Sequence, residues 1–269
     1  MMRKVFLGVS TVLLSDGRTT LLTDGFFSRP GLLRVLAGRV RPDRERIAAA
    51  LRRFGITSVD GLFVMHSHYD HALDAPTVAM MTGARLFGSA STRNIALGHG
   101  FPVDRFTTTD QVEIGNFRIR VLPTLHSPGD LFPGTVDRPI GLGARARDYR
   151  TGECHTLHVT HGDERLLIHA SANHADLDGH PAGTVFLGVG GLGKQSAGFR
   201  ATYWDRLVRR TGARRVVPIH WDDFTRPLDR PLRPMPRFAD DFRTTMRFLG
   251  EQAAIDDVEL TLPTLGEPL

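Results

Sequence analysis

The sequence predicts an α/β protein in which two β-sheets pack face to face and helices cover the outside. Two observations point there. The strand-like segments come in two batches, and each batch is followed by helical segments, which is the order that two sheets with helices on their outer faces require. No break in composition marks a linker anywhere in the 269 residues, so the expectation is a single domain, 1–269.

The elements follow in order. Short strands are expected at 3–9, 11–15 and 19–23, with turns at Asp16-Gly17 and Asp24-Gly25. The opening stretch MMRKVFLGVSTVLL has a basic start and an apolar middle, as a short signal peptide does. However, Gly8, Ser10 and Thr11 interrupt the run, and SDGRTT reads as a hairpin turn. A strand–turn–strand is therefore the expected form. RPDRERIAAALRRFG (41–55) predicts a helix: Pro42 sits near its start, Ile47, Leu51 and Phe54 share a face, and Gly55 ends it. GLFVM (61–65) is a buried strand by its apolar run. A helix over 74–82, a strand at 85–88 and a short helix at 90–97 come next.

QVEIGNFRIRVLPT (111–124) alternates with period two about an Ile-Gly-Asn turn and predicts a hairpin. Residues 127–150, rich in Pro, Gly and Arg, read as a loop. HTLHVTHGDERLLIHAS (155–171) is a second hairpin. A strand at 183–189, a helix at 199–210, a strand at 214–220, a helix at 237–253 and a strand at 257–261 complete the chain.

The bulk numbers exclude several classes. No stretch of about 18 apolar residues occurs, so a membrane span is not expected. Net charge is +5, and all but two of the 34 basic residues are arginine, the exceptions being Lys4 and Lys194. The arginines are scattered with no long block, which reads as a solvated surface, so no nucleic-acid partner is expected. The single Cys154 excludes an internal disulfide framework and a four-cysteine zinc site, and points to the cytoplasm. It has no recognisable His or Asn partner, so a thiol nucleophile is not expected.

The chemistry concentrates in FVMHSHYDHALD, residues 63–74. His66, His68, Asp70 and His71 fall within six positions, directly after an apolar run. In extended chain His66 and His68 point to one side, while Asp70 and His71 follow once the chain has begun to turn. Imidazole nitrogens and a carboxylate suit Zn²⁺, and also Mn²⁺ or Fe²⁺. Two further histidines end apolar strands: His126 after RIRVLPTL and His220 after RRVVPI. Strand ends are where open α/β architectures gather ligands.

These residues carry a resemblance. HSHYDH resembles the His-x-His-x-Asp-His signature of the metallo-β-lactamase superfamily, and His126 and His220 match its later histidines in order. LLTDG is similar to its early Asp-bearing turn, with Asp24 in the place of a support for a ligand. The resemblance spans roughly 4–224. It implies a four-layer αββα sandwich with one or two metal ions, most simply Zn²⁺, in a cleft at the sheet edges. Carried over by position, His66, His68 and His126 would hold one ion, and Asp70, His71 and His220 the other. Within the superfamily the ending VVPIHWDDF looks most similar to the ascorbate-6-phosphate lactonase-like branch.

The match departs at one place. Where the family carries a bridging aspartate, this chain has Ser171-Ala172-Asn173. His169, Asn173 and His174 are polar neighbours, and Asp176 or Asp178 could reach in under a shifted alignment. The Gly-rich FLGVGGLGKQS (186–196) lacks the dinucleotide and Walker patterns and reads as a packed loop, with Lys194 or Gln195 as candidate substrate contacts. His155, His158 and His161 alternate faces on a hairpin and read as structural or exposed.

The expected activity is hydrolysis of an ester- or lactone-type bond in a small molecule, with Asp70 as the catalytic carboxylate that orients water. Phe132, Arg138, Arg145, Arg147 and the segment FFSRPGLLRVL would rim the cleft, suggesting an amphiphilic or acidic substrate. Alternatives are a phosphodiesterase or nuclease of the same fold, or a catalytically reduced protein lacking the bridging Asp. A homo-oligomer is compatible with the sequence.

Overall fold

The computed structural model describes residues 2–269. Its first sheet has six strands in sequential order: β1 (Arg3–Phe6), β2 (Val12–Ser15), β3 (Thr20–Thr23), β4 (Gly61–Phe63), β5 (Arg85–Phe87) and β6 (Phe106–Thr107). The second has seven, again sequential: β7 (Gln111–Ile114), β8 (Phe117–Thr124), β9 (Cys154–His161), β10 (Glu164–His169), β11 (Thr184–Gly188), β12 (Arg215–Ile219) and β13 (Glu259–Leu260). The helices are α1 (Leu32–Ala37), α2 (Arg44–Arg53), α3 (Tyr69–Ala72), α4 (Ala75–Thr82), α5 (Ala90–Gly98), α6 (Ala197–Trp204) and α7 (Phe242–Asp256).

Both sheets are mixed in the same sense. Each begins with antiparallel neighbours and ends with parallel ones: β1–β3 then β3–β6, and β7–β10 then β10–β13. Parallel pairing needs a crossover, and α2, α4, α5, α6 and α7 lie in those crossovers.

Period-two alternation explains the layering. Phe6, Val12, Leu14, Leu21, Phe63 and Phe87 of the first sheet join one core with Ile119, Leu157, Val159 and Ile168 of the second. The intervening Val5, Leu13, Leu22, Leu62 and Leu86 face the other way and pack with Ile47, Leu51, Val78 and Ile95 from α2, α4 and α5. On the far side, Tyr203 and Trp204 of α6 and Leu249 of α7 cover the second sheet. The result is the expected αββα sandwich.

Several boundaries move, each for a local reason. β1 stops at Phe6 rather than at 9, because Gly8 (φ 98°) and Val9 (φ 53°) turn the chain. β4 stops at Phe63: Val64 N still donates to Phe87 O of the neighbouring β5, but Met65 N turns from the ladder to the Asp24 carboxylate. The helix expected over 199–210 starts at Ala197, capped by Ser196, and continues as a π-turn over Asp205–Arg209. The last helix begins at Phe242, not 237, where Asp241 caps it by accepting from Thr244 N. α1, α3 and β6 are additional to the expected elements. Among the described residues no helix is long and apolar enough to cross a membrane.

Candidate metal centre

All six expected histidine and aspartate residues converge at one end of the sandwich. His66 and His68 lie in the stretch after β4 rather than on the strand itself, so strand alternation is not what aligns them. The chain then closes the single turn of α3, which presents Asp70 and His71. His126 follows β8 by two residues, and His220 follows β12 directly with its backbone in the left-handed region (φ 58°).

The side chains form two groups whose potential ligand atoms lie within 4.8 Å of one another: His66, His68 and His126, and Asp70, His71 and His220. In the first, His66 Nε2 stands 3.2 Å from His68 Nδ1. The His126 ring sits edge-on to both, with ring centres 4.8 and 4.7 Å away. In the second, three atoms form a nearly regular triangle. His71 Nε2 is 3.2 Å from His220 Nε2, His220 Nε2 is 3.3 Å from Asp70 Oδ2, and His71 Nε2 is 3.5 Å from Asp70 Oδ2.

These separations fit a bound cation. Two donors each about 2.0–2.1 Å from a tetrahedral ion lie about 3.3–3.4 Å apart. The charge states fit as well. Burial holds His66 well below the usual imidazole pKa, lowers that of His68 and brings that of His126 down to about 4, so their nitrogens keep free lone pairs at neutral pH. Burial would push the Asp70 carboxyl up, but His71 and His220 outweigh it and keep it ionised. The residues present thus suit a divalent metal ion in each group.

The outer edges of the rings are also held. Asp24, at φ 54°, accepts from Ser10 Oγ (2.6 Å) and Met65 N (2.8 Å), and its Oδ2 lies 2.8 Å from His71 Nδ1. That contact leaves His71 Nε2 to face Asp70 and His220, an arrangement that fixes the tautomer of a ligating histidine. Burial alone would lower the His71 pKa, but Asp24 and Asp70 reverse it and raise it.

One residue near the site has no counterpart in the sequence reading. Asp130, in the 127–150 loop, brings its carboxylate to 3.2 Å from His68 Nε2 and 3.8 Å from His126 Nδ1. The signal for it is weak: an isolated Asp after Pro-Gly, in a loop without periodicity.

The stretch in place of the bridging aspartate lies beside His126 without adding a carboxylate. Asn173 Nδ2 donates to His126 O at 2.5 Å, and Ala172 N donates to Ser127 Oγ at 2.7 Å. His169 is turned away, its ring nitrogens engaged by Thr156 Oγ1 and Asn173 O. Asp176 and Asp178 are exposed and join neither cluster, so a shifted alignment does not supply the bridge. Lys194 bonds to Phe238 O and Gln195 to Gly191 O. His158 bonds to Pro181 O and His161 to Asp16. Cys154 is buried, which pushes its thiol up to about 12.

Aromatic edges flank the centre. Phe132 meets the His68 ring edge-on at 6.3 Å, and Phe224 meets His220 at 5.8 Å. Arg138, Arg145 and Arg147 are exposed. α1 buries none of its residues and leaves Leu33 and Leu36 84 % and 73 % exposed. The chain just beyond it is tied to the 127–150 loop through Arg39 to Gly143 O and Val40 N to Ala144 O.

The fold is that of the metallo-β-lactamase superfamily. The metallo-hydrolase Igni18 from the archaeon Ignicoccus hospitalis superposes with a TM-score of 0.63 at 14% identity, over 100% of this chain and 97% of that one. The metallo-β-lactamase fold protein YhfI from Bacillus subtilis gives 0.58 at 13%, over 100% and 98%. An isothiocyanate hydrolase from Delia radicum gut bacteria gives 0.61 at 15%, over 100% and 98%. No protein-family model matches the sequence, and comparison with the curated proteins finds no relative.

Proposed function

We propose that the protein is a metal-dependent hydrolase acting on an ester- or lactone-type bond of a small molecule. The observation that carries this reading is the triangle of Asp70 Oδ2, His71 Nε2 and His220 Nε2 beside the three-histidine group. A divalent ion, most simply Zn²⁺, held by these residues would acidify water and polarise the attacked oxygen.

The chain's own groups do the rest. Asp70 stays ionised at neutral pH. It can therefore take the proton of the attacking water and pass it to the leaving group. Asp24 keeps His71 in one tautomer through that step. Phe132 and Phe224 narrow the access of bulk water to His68 and His220. The ester or lactone preference rests on the resemblance of VVPIHWDDF to the lactonase-like branch. The exposed leucines of α1 and the loop arginines favour a substrate with an apolar part and an acidic group. Hydrolases among the proteins of similar fold support the reaction class.

The test is a panel of small esters, lactones and phosphodiesters, assayed after full chelation and after reloading with Zn²⁺, Mn²⁺ or Fe²⁺. Turnover of a lactone or ester that vanishes on chelation and returns on reloading is expected. Turnover confined to phosphodiesters, or unaffected by chelation, overturns the reading.

A further inference from the structure

We propose that Asp130 is a positioning residue for the three-histidine group, supplying from outside the negative charge that the group lacks within. This rests on the reading of His66, His68 and His126 as metal ligands.

The two groups differ in charge. The second contains Asp70 and is backed by Asp24. The first contains only imidazoles, and the neighbouring Ser171-Ala172-Asn173 brings no carboxylate. Three neutral nitrogens would meet a dication with no compensating charge. Asp130 stands where that charge is missing.

The contacts give it a direction. Asp130 Oδ1 lies 3.2 Å from His68 Nε2, on the opposite edge of the ring from Nδ1, which faces His66. Thr151 Oγ1 donates to Asp130 Oδ2 and lies 3.1 Å from the same His68 nitrogen. A hydrogen on His68 Nε2 is thus accepted by Thr151 Oγ1, which Asp130 holds in place, while the Asp130 carboxylate beside it acts by charge; Nδ1 is left with its lone pair toward the metal position. For His126 the nearer acceptor is Ser127 O, 3.0 Å from Nδ1. Asp130 Oδ2 stands behind that nitrogen at 3.8 Å and acts there by charge rather than by a hydrogen bond.

The carboxylate is itself fixed. Phe132 N donates to Oδ1 at 2.9 Å. Thr151 O accepts from Ser67 N at 2.8 Å, which ties the Thr151 segment to the residue between His66 and His68. The anchoring therefore runs in a closed path from the histidine pair through Thr151 to Asp130 and back to His68. Asp24 supports His71 through a direct hydrogen bond and Asp130 supports His68 through Thr151 and by charge, so each group has one carboxylate behind its rings.

The experiment is a Zn²⁺ competition titration against a chromophoric chelator. It uses the full chain and its Asp130→Asn, Asp130→Glu and His66→Ala/His68→Ala variants. The ion lost in the double-histidine variant defines the first group. Asp130→Asn should weaken that ion by about 10–100-fold, the scale on which such supporting carboxylates act, and leave the other nearly unchanged. Asp130→Glu should recover part of the loss, and the metal-free melting temperature should stay at the parent value in both variants. Unchanged affinity in Asp130→Asn, equal weakening of both ions, or a fall in metal-free stability overturns the proposal. So does a His66→Ala/His68→Ala variant that retains every ion of the parent. A parent that binds both ions and hydrolyses nothing sinks the proposed function while leaving this assignment standing.

Discussion

The Arg29 guanidinium and the Asp222 carboxylate meet at 2.6 Å with no part of either side chain exposed. The pair ties the segment after β3 to the segment after β12. Asp222 Oδ1 also accepts from Val9 N at 2.8 Å, and the N–H of His220 donates to Val9 O at 2.5 Å. His220 is therefore held in its left-handed backbone conformation by the same small network. Gly8 makes room for it: a Cβ there would lie 2.1 Å from Arg29 Nη2.

Removing one partner of a buried pair leaves the other charge uncompensated, at a cost of about 3–5 kcal/mol. Asp222→Ala should lose about that much in urea unfolding. It should also weaken the metal ion of the Asp70, His71 and His220 group more than the other. Replacing both partners, as Arg29→Met with Asp222→Leu, should recover part of the stability. An Asp222→Ala protein of parental stability would show that the pair contributes nothing to the fold.

Metal content tests the clusters directly. His66→Ala/His68→Ala should remove the ion of the three-histidine group, measured by elemental analysis of the purified protein. In the parent the two occupancies should be unequal. The Asp70 group offers a charged donor, whereas the first group offers only imidazoles, which lose metal as they protonate. Two equally tight ions in a titration of the parent would contradict this expectation.

Asp70 is the group asked to move a proton. Asp70→Asn keeps the shape but removes the charge, and turnover should fall by about 10²-fold or more, the range such groups supply. Metal content must be measured beside it, because Asp70 Oδ2 is also a corner of the donor triangle. Near-parental turnover at full metal loading would remove Asp70 from the mechanism.

What could be read from the chain was what is local. His66, His68, Asp70 and His71 sit within six positions, so pattern selects them; His126 and His220 close apolar strands, and the resemblance to the family's later histidines is what singles them out. Asp24 is marked by its turn. Asp130 is not, because its meaning depends on Thr151, 21 residues away, and on a loop path that no periodicity encodes. The same distinction explains the strand ends. Val64 and Met65 are apolar and prolong the run, yet the Met65 N–H leaves the ladder for the Asp24 carboxylate. α1 escapes because its residues face solvent, so there is no buried stripe to detect.

A last prediction concerns acid stability away from the metal centre. His99 is 6 % exposed and its Nε2 lies 3.0 Å from Tyr149 Oη. Burial pushes its pKa down to about 4 from the usual 6.5. Between those values the unfolded chain binds the proton more readily than the folded one, so the folded state loses stability as pH falls. The contribution is intact above pH 6.5 and drains progressively toward about 4. By pH 5 the loss should amount to about 2 kcal/mol, at 1.36 kcal/mol per unit of pH. His99→Gln cannot take up that proton. Urea unfolding of the metal-free protein at pH 7 and pH 5 should therefore show a drop smaller by about that amount in the variant than in the parent. Equal drops in the two proteins would mean that His99 is protonated without resistance in the folded state, and that its surroundings open to water as the pH falls.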